Sequence, residues 1–456
     1  MGRAGHPHGP ADGGHADPDG TVKHTSIQGR GFTLLEVMIA SALGVVVLTT
    51  GLVVGAQMQK RALFEEQTMT AQVTGRAVKE MLALDIARAG AGMGNAPIAF
   101  AKAGGGTDER SAISVYYRPD LKTGTGTPFG ADANFELPPV GFPASDAIQL
   151  YWGDTAGMIK LAPCANSKVR ESKSSFCGTP VASAAMITPS GPASAIMVSG
   201  GNRPACPVSI TAISQGTVGP PATPSTITVN GALLESPTCE STTSTHWAPK
   251  DAGDLVNWMA LRLNGAAYRV NWKGGSPALE YRAVGAANWT VLSRDVEHLS
   301  VREGVVDFDN ALKGTSGEYA MEWYPGVGTD TNWRNPGLPH PAISQCDEAQ
   351  YTLNTCRTDD RGPDGNPLPA INSITAADRK AEVIKRLRQR VRELEVTLVI
   401  RTRRVNRDAD MTGTDEEGQA RDGYTRRRYT FRVAARNMTV GLQRPVDPSA
   451  SVVVIP

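Results

Sequence analysis

From Phe32 to Ala56 the chain is apolar over a length that spans a bilayer, and it carries one carboxylate, Glu36, near its start. A carboxylate at apolar depth costs on the order of 2–3 kcal/mol or more, which marks it as functional by default. Lys23 and Arg30 precede the run and favour a cytoplasmic N-terminal side. The run is longer than a signal-peptide core, and no small-x-small cleavage site follows it. On these grounds alone it is a signal anchor, inserted once with the C-terminal bulk outside. The helical pattern continues past the apolar run. Gln57 to Arg88 contains no Pro and only Gly75 as a weak breaker. Met69, Val73, Ala77, Met81 and Leu82 recur at helical spacing, with Lys60, Arg61, Glu65, Glu66, Arg76, Lys79 and Glu80 around the rest of the wheel. Gly90, Gly92 and Gly94 end the pattern. One helix from Thr33 to Ala89 is expected, about 85 Å long at the usual rise per residue, apolar in its first half and amphipathic in its second.

Ahead of this helix, Met1 to about Gly20 is rich in Gly, Pro, His and Asp without apolar periodicity, so disorder is expected. His6, His8 and His15 have no ordered partners there with which to hold a metal. At 456 residues the chain is long enough for two or three structural units. A net charge of +1 argues against the whole protein binding a polyanion. Six cysteines, Cys164, Cys177, Cys206, Cys239, Cys346 and Cys356, lie at loop-like spacings with no CxxC pattern. They fit disulfides and an oxidising compartment. Six cysteines allow 15 pairings, of which joining sequence neighbours is the simplest.

Between Ala96 and Val291, short strand-like segments sit in a Gly/Ser/Thr/Pro matrix: 112–118, 147–152, 195–200, 226–231, 255–263 and 267–272. Asn264-Gly265 between the last two is a hairpin signal. Further on, Leu394, Val396, Leu398 and Ile400 alternate with Glu395, Thr397, Val399 and Arg401. Tyr429, Phe431 and Val433 alternate with Arg428, Thr430 and Arg432, so an antiparallel pair is expected across a loop holding Gly413 and Gly418. Thr375 to Gln389 reads as a short helix, capped by Thr375 with Asp378 three residues on. The arginines Arg386, Arg388, Arg390, Arg401, Arg403, Arg404, Arg426, Arg427 and Arg428 could form a nucleic-acid face. Interspersed acids, among them Glu393, Glu395, Asp408 and Asp410, favour a solvated charged face instead.

No HExxH, Walker A, GxSxG or GxGxxG pattern is present. His246, His298 and His340 are widely spaced and read as surface or turn residues, so no enzymatic activity and no cofactor are expected. Asp307 and Asp309, and Asp360 and Asp364, supply oxygen ligands of the kind calcium takes, but neither group has EF-hand spacing.

The segment Gly31-Phe32-Thr33-Leu34-Leu35-Glu36 resembles the type IV prepilin motif. The resemblance implies that a prepilin peptidase cuts after Gly31 and methylates the new terminus, Phe32. It also implies that Glu36 serves in assembly, pairing with a neighbouring subunit's terminal amine. The leader is longer than usual, and a start at Val22 would make it ordinary. Leu82 to Gly90 is similar to the helix end of PilW-like minor pilins, and Asp295 to Arg302, Val391 to Arg404 and Gly423 to Asn437 resemble their later strands. What this implies is an α+β, type IV pilin-like fold. Residues 1–31 would be a leader that is removed, 32–56 a transmembrane and filament-core helix, and 57–95 its amphipathic continuation. Residues 96–291 would be a β- and loop-rich variable insertion, and 292–456 a C-terminal pilin sheet with Arg-rich strands. The implied function is that of a minor pilin that joins or primes a type IV pilus. The implied partners are major and minor pilins, the peptidase, inner-membrane assembly machinery and a tip adhesin. A type II secretion pseudopilin shares the same N-terminal logic, and an adhesin or DNA-uptake component is a third reading.

Overall fold

The computed structural model describes residues 31–102, 105–180, 195–198, 203–230, 236–240, 245–249, 258–306, 321–328, 330, 332, 334–357, 369–403, 412–414, 418 and 421–439. The chain divides into two compact units, with the boundary after Leu63. One helix, α1 (Leu34–Arg88), runs for 55 residues without interruption. In the first unit its apolar side chains stand exposed, from Leu34 at 79 % to Val54 at 51 %. It is long and apolar enough to cross a membrane.

The second unit combines the rest of α1 with antiparallel sheets, so the chain is α+β. Its strands are β1 (Ile98–Ala101), β2 (Thr107–Arg110), β3 (Ile113–Tyr116), β4 (Ala147–Lys160), β5 (Arg170–Ser172), β6 (Ser175–Gly178), β7 (Ala195–Val198) and β8 (Cys206–Ser214). They continue with β9 (Ser225–Asn230), β10 (Met259–Asn271), β11 (Ala278–Ala283), β12 (Thr290–Ser293), β13 (Val296–Val306), β14 (Met321–Tyr324), β15 (Val391–Arg401) and β16 (Arg426–Ala434). Among its shorter helices are α2 (Glu348–Thr352) and α3 (Ala376–Arg388). β1 and β2 form a ribbon. A ten-stranded sheet runs β12-β11-β10-β7-β8-β9-β6-β5, with β4 also on β10 and β3 on β4. A four-stranded sheet runs β14-β13-β15-β16. β15 and β16 pair antiparallel from Glu393↔Ala434 to Arg401↔Arg426.

The largest core brings together Leu82 and Ile86 of α1, Ile148 and Leu150 of β4, Tyr268 of β10, Leu299 of β13, Leu398 of β15 and Phe431 of β16. The stretch 96–291 thus shares its core with the helix and the C-terminal sheet. A second core, built on Ile159, Phe176, Ile227, Trp247 and Trp258, lies wholly within that stretch.

Three expectations are corrected. First, the buried stripe of α1 is Ala71, Gly75, Val78, Leu82 and Ile86, whereas Met69 and Val73 are each 68 % exposed. The face is rotated because Gly75 sets the contact. A Cβ there would lie 2.7 Å from Ile400 Cδ1 and 2.8 Å from the Tyr429 ring, so the residue read as a breaker is where the helix meets the sheet. Second, Asn264-Gly265 is no hairpin turn. Both residues lie inside β10, paired with Trp152 and Tyr151 of β4 along an unbroken strand. A Cβ on Gly265 would come 2.4 Å from the Leu150 carbonyl oxygen, so this glycine serves close strand approach. Third, α3 starts where expected, but Thr375 Oγ1 donates to the Asp378 carboxylate at 2.5 Å rather than capping a backbone N–H.

Candidate assembly helix and its anchorage

Gly31 and Phe32 are exposed and lie just ahead of α1. At the first turn Glu36 Oε2 accepts from the Thr33 amide at 3.0 Å and the Thr33 hydroxyl at 3.1 Å. The Glu36 amide donates back to Thr33 Oγ1 at 3.2 Å. This is a reciprocal capping box, in which the acid also favours the positive end of the helix dipole. The Thr-x-x-Glu spacing was visible in the sequence, and it changes the account of Glu36. The carboxylate has local partners within its own chain and is not a bare charge. Deeper in the apolar run the hydroxyls turn back on the helix. Ser41 donates to the Met38 carbonyl at 2.9 Å, Thr50 to Val46 at 3.0 Å, and Thr49 to Val45. Hydroxyls satisfied this way leave the run apolar in effect.

The far end of α1 is tied down by residues from three places in the sequence. Asp85 accepts a hydrogen bond from the Tyr268 hydroxyl on β10. Burial, then the Asp85 carboxylate, hold the Tyr268 hydroxyl far above the usual phenol range. Asn437, just beyond β16, donates through Nδ2 to the Ala87 carbonyl at 2.8 Å, covering one of the carbonyls that a helix end leaves unpaired. Gly90, at φ 79°, turns the chain so that its amide reaches the Tyr151 carbonyl at 2.9 Å. The Gly153 amide of β4 then donates to the Ala91 carbonyl at 2.8 Å. The segments whose resemblance was noted, Leu82–Gly90 and Gly423–Asn437, therefore meet here.

The arginine-rich segments do not present a continuous cationic surface, and the expected solvated charged face is met at Arg403, Arg427 and Arg428 but corrected at the buried arginines. Arg386, Arg388, Arg390 and Arg426 are buried. Arg426 bonds Glu297 through Nε at 2.5 Å and Asp422 through Nη2 at 2.7 Å, and its pKa is raised by those carboxylates against the opposing effect of burial. Arg403 pairs with Asp295 at 2.9 Å, and Arg401 lies 3.7 Å from Glu297. Arg386 pairs with Glu382 at 2.9 Å. Arg427 and Arg428 remain exposed, and Arg404 falls outside the described residues. Asp295 and Glu297 lie at the start of a strand that is a neighbour only in space, which charge counting along the arginine segments missed, whereas Glu382 and Asp422 lie four residues from the arginines they hold. Beside Glu297 a small cavity of about 100 Å³ is lined by Phe142, Trp272, His298 and Val399. Of its charged lining residues, Glu297, Arg426 and Arg428, the first two are bonded to each other.

The disulfides join sequence neighbours: Cys164–Cys177, Cys206–Cys239 and Cys346–Cys356. Asp307, Asp309, Asp360 and Asp364 lie outside the described residues. Among the described residues no group of three or more His, Cys, Asp or Glu side chains is gathered to hold a metal ion. Comparisons with family models, curated protein sequences and solved structures found no match to this chain.

Proposed function

We propose that this chain is a minor pilin of the PilW-like type, an inner-membrane precursor that is cut after Gly31, methylated on Phe32 and carried into a type IV pilus by α1. The N-terminus is cytoplasmic and the second unit periplasmic before assembly. The protein is a substrate of the peptidase-methyltransferase, and its other partners are major and minor pilins and the assembly machinery. The observation that carries this reading is the motif Gly31 to Glu36 placed at the first turn of a 55-residue helix, exposed and apolar in its first unit and buried along one stripe in the second. A simple membrane anchor needs neither the motif nor a helix that continues unbroken into a folded core.

Mass spectrometry of the mature protein tests the processing step. The expected terminus is methylated Phe32, and Gly31→Ala, or a larger residue there, is expected to accumulate uncut precursor. Deletion of the gene tests the assembly role through counts of surface pili and of secreted enzymes. Fewer pili with normal secretion is the expected result. Normal pili with lost secretion would instead identify a type II secretion pseudopilin, which shares the same N-terminal motif.

A further inference from the structure

Two buried carboxylates meet where the two larger sheets join. Glu303 occupies an inward position of β13 between Val301 and Val305 and is 1 % exposed. Asp146, just ahead of β4, is 3 % exposed. Asp146 splices the sheets together. Its Oδ2 accepts from the Val301 amide at 2.8 Å, its Oδ1 from the Arg118 amide at 3.1 Å, and its own amide donates to the Leu299 carbonyl at 2.8 Å. Next to it, Ser145 Oγ accepts from the Leu299 amide and bonds His298 Nδ1, each at 3.2 Å.

The groups facing this pair come from every element packed on it. From α3, Arg388 donates to the Val115 carbonyl at 3.2 Å and lies 5.1 Å over the Tyr116 ring. From β3, the Val115 amide bonds Glu303, and from the loop before β4 the Arg118 guanidinium acts on Asp146. Ser300 adds a side-chain hydrogen bond to Asp146. β14 and β15 place Tyr324 and Leu394 opposite Glu303 in register. The two oxygens of Asp146 are both held by donors, which suits a negative charge. Glu303 Oε1 has no hydrogen-bond partner among the described residues, which suits a proton.

We propose that this seam is a proton-controlled latch. With a proton on Glu303, Asp146 is the single anion of the pair, held by the Val301 and Arg118 amides, and the sheets stay joined; without it, a second buried anion repels the first and the join loosens.

Burial raises the Glu303 carboxyl to about 8, with Arg388 opposing and Asp146 adding to the rise. Burial likewise raises Asp146 to about 6, against the amides of Val301 and Arg118. Both values lie above the ordinary 4.5 and 3.8, so the closed seam holds protons that an opened one releases. The contribution of Glu303 is therefore complete below its ordinary value, declines as pH rises and is gone above about 8. Asp146 has the same sign, in a window that ends near 6, so Glu303 alone governs the interval between about 6 and about 8.

Hydrogen exchange on the full chain in detergent micelles, corrected for the intrinsic base-catalysed rate, reads this interval. From about pH 6 to about pH 8, protection at 115–118 and 299–303 is expected to fall roughly tenfold or more and then level off, while β16 holds steady. Glu303→Gln is expected to remove that fall. An equal fall in the variant, or one shared evenly by all strands, would overturn the latch. Infrared difference spectra of the unaltered chain make the test independent of whether the variant folds. A protonated carboxyl band present at pH 7 and lost near pH 8 is expected, and its absence at pH 7 would also overturn the proposal.

Discussion

Glu36 shows how a single side chain can serve two partners in turn. In the lone chain it closes the first turn of α1 through Thr33. In the proposed filament it would bond a neighbour's terminal amine, and the capping box would have to yield or share. The two roles can be separated chemically, because Gln satisfies a capping box but carries no charge. Glu36→Gln is therefore expected to be cleaved normally and to incorporate poorly. Thr33→Val is expected to fray the helix start, at a cost of about 1 kcal/mol, yet to incorporate well. Immunoblots of processed protein against sheared filaments check both. Equal incorporation of Glu36→Gln and the unaltered chain would assign the carboxylate to capping alone.

At the scale of elements, α1 was legible in extent but not in orientation. Hydropathy and the absence of Pro are local signals, and they gave its span to within a residue at each end. Which face turns inward depended on Gly75, whose worth lies in what Ile400 and Tyr429 occupy, more than three hundred positions away. Gly75→Ala pits a helix-propensity gain of about 1 kcal/mol against overpacking of about 1–3 kcal/mol. With the near atoms within 3 Å, net destabilisation is expected, and Gly75→Leu should be worse. Thermal denaturation of the two variants checks the order. A stabilised Gly75→Ala would mean that the sheet gives way easily. The same distinction explains β10. An Asn-Gly pair is a turn only if nothing pairs alongside it, and β4 pairs there. Glu303 was readable too, since Leu299, Val301, Glu303 and Val305 alternate and place an acid on the apolar side of a strand. The Asp295–Arg403 and Glu297–Arg426 pairs were not, because register between distant strands is invisible in a local pattern.

For the molecule as a whole, the cross-links divide the work unevenly. Cys206–Cys239 closes 33 residues and borders the second core, whereas Cys346–Cys356 closes 10. Loop entropy alone makes the longer closure worth about 1 kcal/mol more. Cys239 also lends its carbonyl to the Trp247 indole at 3.0 Å. Replacing both cysteines of the 206–239 pair by Ser is expected to lower the denaturation midpoint more than the same change at 346–356. The reverse order would show that the second core holds without its staple. A different consequence follows from the end of α1. Tyr268 of β10, Tyr151 and Gly153 of β4, and Asn437 beyond β16 grip the stretch from Asp85 to Ala91. A tug along the helix axis is then met by several bonds strained side by side, and none can be unzipped alone. The junction resists traction as a rivet does, spreading it across both sheets before any strand has to move.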